Sequence, residues 1–98
     1  MLPDDKKYIE ELEAKYDQFK PKLDQLQTSL EVMQAAYQDY IDLRNFYASP
    51  KWFDMQEQDY QDVKCGILSQ DQLYDLIGQH NHILGELLAL SSQMYKHL

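Results

Sequence analysis

The sequence predicts an all-α protein, a helical hairpin in which a kinked long N-terminal helix runs antiparallel to a shorter C-terminal helix, with a short helix in the connection. Three observations predict this fold. Glycine is absent before Gly66 and proline occurs only three times, so long stretches are compatible with helix. Apolar residues recur at alternating steps of three and four, which is typical of a coiled-coil seam. The length of 98 residues suits one small domain, residues 1–98.

The first helix is expected over about residues 4–48, with Asp4 or Asp5 beside Pro3 as the cap at its start. Its seam consists of two sets of positions that together extend over more than five heptads. The first set is Ile9, Tyr16, Leu23, Leu30 and Tyr37, and the second is Leu12, Phe19, Leu26, Met33, Tyr40 and Tyr47. This helix is therefore expected to present one continuous apolar stripe.

Pro21 stands inside this helix, where it removes one backbone donor and clashes with the preceding turn. Either one long helix kinks at this point, or the chain turns and a third helix completes a three-helix bundle. The residues around Pro21 include no Gly, Asn or Ser to build a turn, and the seam keeps its phase across it. These features favour the kinked helix, with the three-helix bundle as the alternative.

The connection, residues 49–68, opens with a helix-start signal. Ser49 is a cap residue and Pro50 suits the first helical position, so a short helix is expected over Pro50–Gln56. Trp52 and Phe53 are expected to fold over one end of the long helices.

The second helix is expected over about Gln70–His97, within residues 69–98. Ser69 is predicted as its N-cap and Gln72 as the partner that completes a capping box. Leu68 and Leu73 have the spacing of a hydrophobic staple, and Gly66 is expected to adopt a backbone angle that other residues resist.

Two further glycines lie inside the second helix, Gly78 and Gly85. Each costs about 1 kcal/mol relative to alanine in a helix interior. Close approach of a neighbouring helix would compensate for this cost, and a flexible hinge is the other interpretation.

The two helices differ in length by about 20 Å at 1.5 Å per residue, so residues 4–20 should overhang in a hairpin. The overhang carries the apolar side chains Tyr8, Ile9, Leu12, Tyr16 and Phe19. Exposed apolar stripes of this kind mark contacts. The overhang is therefore expected to fold back at Pro21 or to pack on another chain.

The charge balance excludes several kinds of partner. Nine basic and seventeen acidic residues give a formal net charge of −8, and no third of the chain is basic. Nucleic-acid backbones and anionic lipid both require clustered Lys and Arg, so neither is an expected partner. A single cysteine, Cys65, and the absence of an apolar signal segment predict a cytoplasmic protein.

No cofactor-binding or metal-binding pattern is present, so neither kind of ligand is expected. Cys65 or Ser69 would need a nearby base for nucleophilic catalysis. Ser69 is better used as a cap, and the nearest histidine, His80, is more than two helical turns away. No catalytic residue is assigned.

Two stretches, "FYASPKW" and "KCGILSQDQLYDLI", resemble a small bacterial family known as domain of unknown function 4298. The matching positions are Tyr47, Ser49, Trp52, Gly66, Leu68, Ser69, Asp71, Tyr74 and Leu76. The resemblance is close over about residues 46–78. It implies no activity, because the family has none assigned.

The sequence as a whole favours a non-enzymatic helical module for protein interaction or oligomerisation, with a second copy (a dimer) or another helical protein as its partner. The overhang contact is predicted at Tyr8, Leu12, Tyr16 and Phe19. A second contact, the end cap, is predicted at Tyr47, Trp52, Phe53 and Tyr74. The alternative is a small enzyme or ligand-binding protein that uses the region of Trp52, Cys65 and Asp71.

Overall fold

The structure is a computed structural model that describes residues 1–60 and 62–98. Helix α1 is Pro3–Phe46, α2 is Pro50–Gln56 and α3 is Gln70–Tyr95, and a 3₁₀ turn at Gly66–Leu68 precedes α3. The described residues include no strand. The all-α prediction is confirmed, and so are the bounds of the short helix in the connection.

Helix α1 runs through Pro21 without a break and is 44 residues long. The alternative of a turn at Pro21 with a third long helix is therefore wrong. Pro21 lies on the side of the helix away from the seam, where a missing backbone donor disturbs no apolar contact. The helix begins at Pro3, so Asp4 and Asp5 lie within its first turn instead of capping it. There they complement the positive end of the helix dipole.

The chain divides into two compact units, Met1–Gln38 and Asp39–Leu98, and each is described by itself. The first unit consists of α1 residues whose side chains are almost all exposed. The second contains the end of α1, the connection and α3.

Within the second unit the end of α1 and the start of α3 run antiparallel. The Tyr47 and Trp52 rings are in contact, and the Trp52 indole bonds to the carbonyl of Ile67. Tyr40 stacks on His80, with ring centroids 3.9 Å apart and planes 7° from parallel. Trp52 thus connects Tyr47 to Ile67, while Tyr40, which is earlier in α1, contacts His80, which is later in the chain. This is the antiparallel arrangement that the predicted hairpin requires.

In the turn after α1, the residue with a positive φ is an alanine, whereas glycine is the residue that usually adopts this conformation. Ala48 has φ 58°, and the Ser49 amide donates to the Phe46 carbonyl at 3.0 Å. Gly66 has no positive φ, so the expectation of a special backbone angle there is wrong. Gly66 instead leaves room for Gln72, because a Cβ at position 66 would overlap the Gln72 side-chain carbonyl oxygen.

Ala48→Gly is expected to stabilise the protein by about 1 kcal/mol. The left-handed conformation costs a residue with a Cβ about 1–2 kcal/mol, and glycine escapes this cost while losing more backbone entropy on folding. Urea denaturation followed by circular dichroism measures the change in the free energy of unfolding. A loss of stability in this variant would contradict the positive φ at position 48.

Gly78 and Gly85 have open space around them, because a Cβ at either position would meet no described atom within 4 Å. The expected close approach of a neighbouring helix is therefore not found in the part of the chain that the structure describes.

Replacing Gly78 and Gly85 by alanine is expected to raise the free energy of unfolding by about 1 kcal/mol per site, because alanine favours helix and neither methyl group would clash. Denaturation of the single and double variants checks this. Gly66→Ala is the control, since the Gln72 side chain must move to admit the methyl group, and no gain is expected there. Destabilisation by either helix substitution would contradict the open environment.

Candidate functional site

An aromatic cluster forms where α1, α2 and the 3₁₀ turn meet. Trp52 is 5% exposed and lies at its centre. Its ring centroid is 5.6 Å from that of Tyr47 at a tilt of 59°, and 5.0 Å from that of Phe53 at 80°. The contact with Phe53 is edge-to-face, a geometry that adds to the energy of apolar burial. Three of the four predicted end-cap residues are thus brought together.

Hydrogen bonds fasten α2 to the 3₁₀ turn. The Trp52 amide donates to Ser49 Oγ at 3.1 Å, so Ser49 is the N-cap of α2, as the sequence predicts. The Trp52 indole Nε1 donates to the Ile67 carbonyl at 3.0 Å, and Gln56 Nε2 donates to the Leu68 carbonyl at 2.7 Å. The sequence reasoning missed Gln56, although its position four residues after Trp52 places it on the same face of α2.

The start of α3 completes this junction. Ser69 Oγ accepts from the Gln72 amide at 3.2 Å, and Leu68 and Leu73 are both buried, as the staple predicts. The reciprocal half of the capping box is not formed, because the Ser69 amide donates to the Gly66 carbonyl instead. Asp71 lies in the first turn of α3 and is exposed, so its charge faces solvent near the positive helix end.

Tyr74 does not join the aromatic cluster and is 65% exposed. Its neighbour Leu73 is 1% exposed and fills the interior position. Consecutive helical residues point about 100° apart, because a turn takes 3.6 residues. With Leu73 buried, Tyr74 must point towards solvent.

Cys65 is half-buried, and its Sγ lies 3.6 Å from the Tyr60 carbonyl, which accepts its weak hydrogen bond. It lines an open hollow of ≈ 270 Å³ together with apolar side chains that include Phe46 and Met55. The residues named for the alternative function differ in environment, since Trp52 is buried, Cys65 is half-buried and Asp71 is exposed.

The apolar stripe at the start of α1 is uncovered in this chain. Its members are between 42% and 62% exposed. They are Tyr8, Ile9, Leu12, Tyr16 and Phe19. Since α1 does not fold back at Pro21, one of the two predicted ways of covering this stripe is excluded, and packing against another chain remains.

The stripe contains a hollow of ≈ 330 Å³ lined by Ile9, Leu12, Glu13 and Tyr16. These residues are at positions i, i+3, i+4 and i+7 of one helix. In helix-to-helix packing, a side chain of the facing helix inserts into a hole made by four such residues. The hollow therefore has the arrangement that receives a side chain from another helix.

Two pairs of charged side chains on α1 lie beside the stripe. Lys20 Nζ donates to Asp24 Oδ1 one turn later. This hydrogen bond and the carboxylate charge raise the pKa of Lys20 above its usual value. Lys6 and Glu10 form a longer pair at 3.9 Å. Both pairs are exposed, so they contribute solubility more than stability.

The described residues, 1–60 and 62–98, contain neither a metal-binding cluster nor a helix suited to crossing a membrane. No three His, Cys, Asp or Glu side chains there are placed so as to hold a metal ion, and His82 and Glu86 make only an exposed pair at 2.9 Å. None of the helices in that part of the chain combines the length and apolar character needed to cross a membrane.

No curated protein matches the chain. A family model does match it, over residues 9–90. The match covers most of the chain and includes the seam of α1, the aromatic cluster and most of α3. The family predicted from the resemblance is thereby confirmed, and the chain belongs to the family described as domain of unknown function DUF4298.

Proposed function

We propose that this protein is a non-enzymatic interaction module that packs a helix of another polypeptide against the apolar stripe of α1. The polypeptide is a second copy of the chain or another helical protein. The exposure of the five stripe residues, from Tyr8 to Phe19, carries the proposal. A stripe of this size in helical register is typical of a surface that another helix covers.

The energy of apolar burial supports this interpretation. Phe19 is 62% exposed and belongs to the seam. Fully burying a side chain of this size is worth about 1.5–3 kcal/mol relative to leaving it exposed. Covering several stripe residues together offsets much of the cost of association, and a second helix is the simplest element that reaches all of them.

Phe19→Asp is expected to weaken helix docking at least about tenfold, since it removes apolar contact and places a carboxylate in the interface. Sedimentation over a wide concentration range measures self-association, and titration with amphipathic helical peptides measures docking of a different chain. Val32→Asp is the matched control, because Val32 is 64% exposed on α1 but lies outside the seam. Wild-type protein that neither self-associates nor binds a helical peptide would contradict the proposal.

A second candidate function is ligand binding at the hollow beside Cys65, which the apolar lining by Phe46 and Met55 favours. Its volume is slightly below the range of about 300–1,000 Å³ that is typical of ligand pockets, so only a small molecule would fit. Thiol labelling tests it. A ligand that occupies the hollow should slow the reaction of Cys65 with a maleimide, whereas labelling that no added apolar molecule slows would remove this candidate.

A further inference from the structure

The edges of the α1 stripe carry lysines. With Ile9 and Tyr16 at heptad position a and Leu12 and Phe19 at position d, the flanking positions e and g follow by counting. Between Leu12 and Leu23 they are Glu13, Lys15, Lys20 and Lys22, and all four side chains are exposed. In the preceding heptad they are Lys6, which pairs with Glu10, and Tyr8 of the stripe itself. In paired helices these positions face the partner and decide which partner and orientation are accepted.

Apart from Glu13, the acidic residues from Glu10 to Asp24 lie on the outward side of the segment. Heptad positions b and c carry Glu10, Glu11, Asp17 and Asp24. The segment is therefore divided into a lysine-rich edge and an acidic outer face. Lys20 pairs with Asp24 at the solvent-exposed surface and keeps its charge, whereas Lys15 and Lys22 have no ion pair among the described residues.

This arrangement opposes pairing of the stripe with a second copy of itself. In a parallel pair, Lys15 of one chain would face Lys20 of the other, because position g faces position e. In an antiparallel pair, g faces g, so Lys15 would face Lys22. Like charges at these positions destabilise a pair of helices. In the antiparallel pair, Glu13 would also attract Lys20 of the other chain. The repulsion between Lys15 and Lys22 offsets this attraction.

We propose that the occupant of the stripe is an amphipathic helix of a different protein, with Asp or Glu at the edges of its apolar face. This inference rests on the proposed function and specifies its partner. An apolar side chain of that helix enters the hollow among Ile9, Leu12, Glu13 and Tyr16, and its acidic edge meets Lys15 and Lys22. Charge complementarity selects this occupant over a second copy.

Two synthetic helical peptides of about three heptads, with the same Leu seam, provide the test. One has Glu at positions e and g, and the other has Lys. Both carry compensating charges at outward positions, so that each has zero net charge and the overall acidity of the protein favours neither. Isothermal titration calorimetry is expected to show about tenfold tighter binding of the Glu-edged peptide to the full chain, with a preference that shrinks at high salt.

Lys15→Glu/Lys22→Glu is expected to reverse this preference. Lys7→Glu/Lys51→Glu is the matched control, because it makes the same change in net charge away from the edge of the stripe, at two exposed positions. The control is expected to retain the preference for the Glu-edged peptide. Circular dichroism of both variants verifies that the helices remain.

Three results would overturn the inference. They are equal affinity for the two peptides, a preference that survives Lys15→Glu/Lys22→Glu, and self-association through the stripe that is tighter than peptide binding. If one of these results is obtained but binding is lost in Phe19→Asp, the proposal that the protein is an interaction module is retained, and only the proposed partner is wrong. If wild-type protein binds neither peptide and does not self-associate, both proposals fail.

Discussion

Trp52→Ala is expected to destabilise the second unit by about 3–5 kcal/mol. Trp52 is one of three buried apolar side chains among the described residues, and it makes ring contacts with Tyr47 and Phe53. The substitution also leaves the Ile67 carbonyl without its indole donor. Since small domains have low total stability, a loss of this size would leave much of the unit unfolded. Urea denaturation followed by far-ultraviolet circular dichroism measures it.

Phe53→Ala is the control for this prediction. Phe53 is adjacent in sequence and belongs to the same cluster, but it is about half-exposed, so its removal leaves less of a cavity. A clearly smaller loss is expected. If both substitutions cost the same, Trp52 would not be the centre of the cluster.

Leu73→Ala is expected to cost about 2–5 kcal/mol, because Leu73 is 1% exposed and alanine leaves a cavity that its neighbours fill only partly. The single tryptophan of the chain, Trp52, reports unfolding by its fluorescence. Leu88→Ala is the matched control, since it makes the same change at an exposed position of α3. A change within about 0.5 kcal/mol is expected there.

The outcome of this comparison decides where the stability of the second unit resides. Equal losses at Leu73 and Leu88 would mean that the exposed part of α3 is covered in solution. A loss of less than about 1 kcal/mol at Leu73 would contradict the buried junction between the 3₁₀ turn and α3.

Much of the fold could be predicted because its signals are local. Ser49 before Pro50 and Ser69 before Gln72 mark helix starts, and both serines cap the amides three residues later. Capping depends on residues within one turn, so neighbouring sequence is sufficient. The apolar period of α1 is a local signal of the same kind, and it predicted which residues form the stripe from Tyr8 to Phe19, although not that this chain leaves them exposed.

The remaining features depend on residues distant in sequence. The bonds from Trp52 to the Ile67 carbonyl and from Gln56 to the Leu68 carbonyl join residues that only the path of the connection brings together. The exposure of Tyr74 and the absence of any described atom near Gly78 also depend on how the connection positions α3. The sequence by itself determined the helices, their caps and the apolar stripe, because these follow from contacts within a few residues. Only the tertiary structure decided which side chains are buried, because burial depends on what the rest of the chain covers.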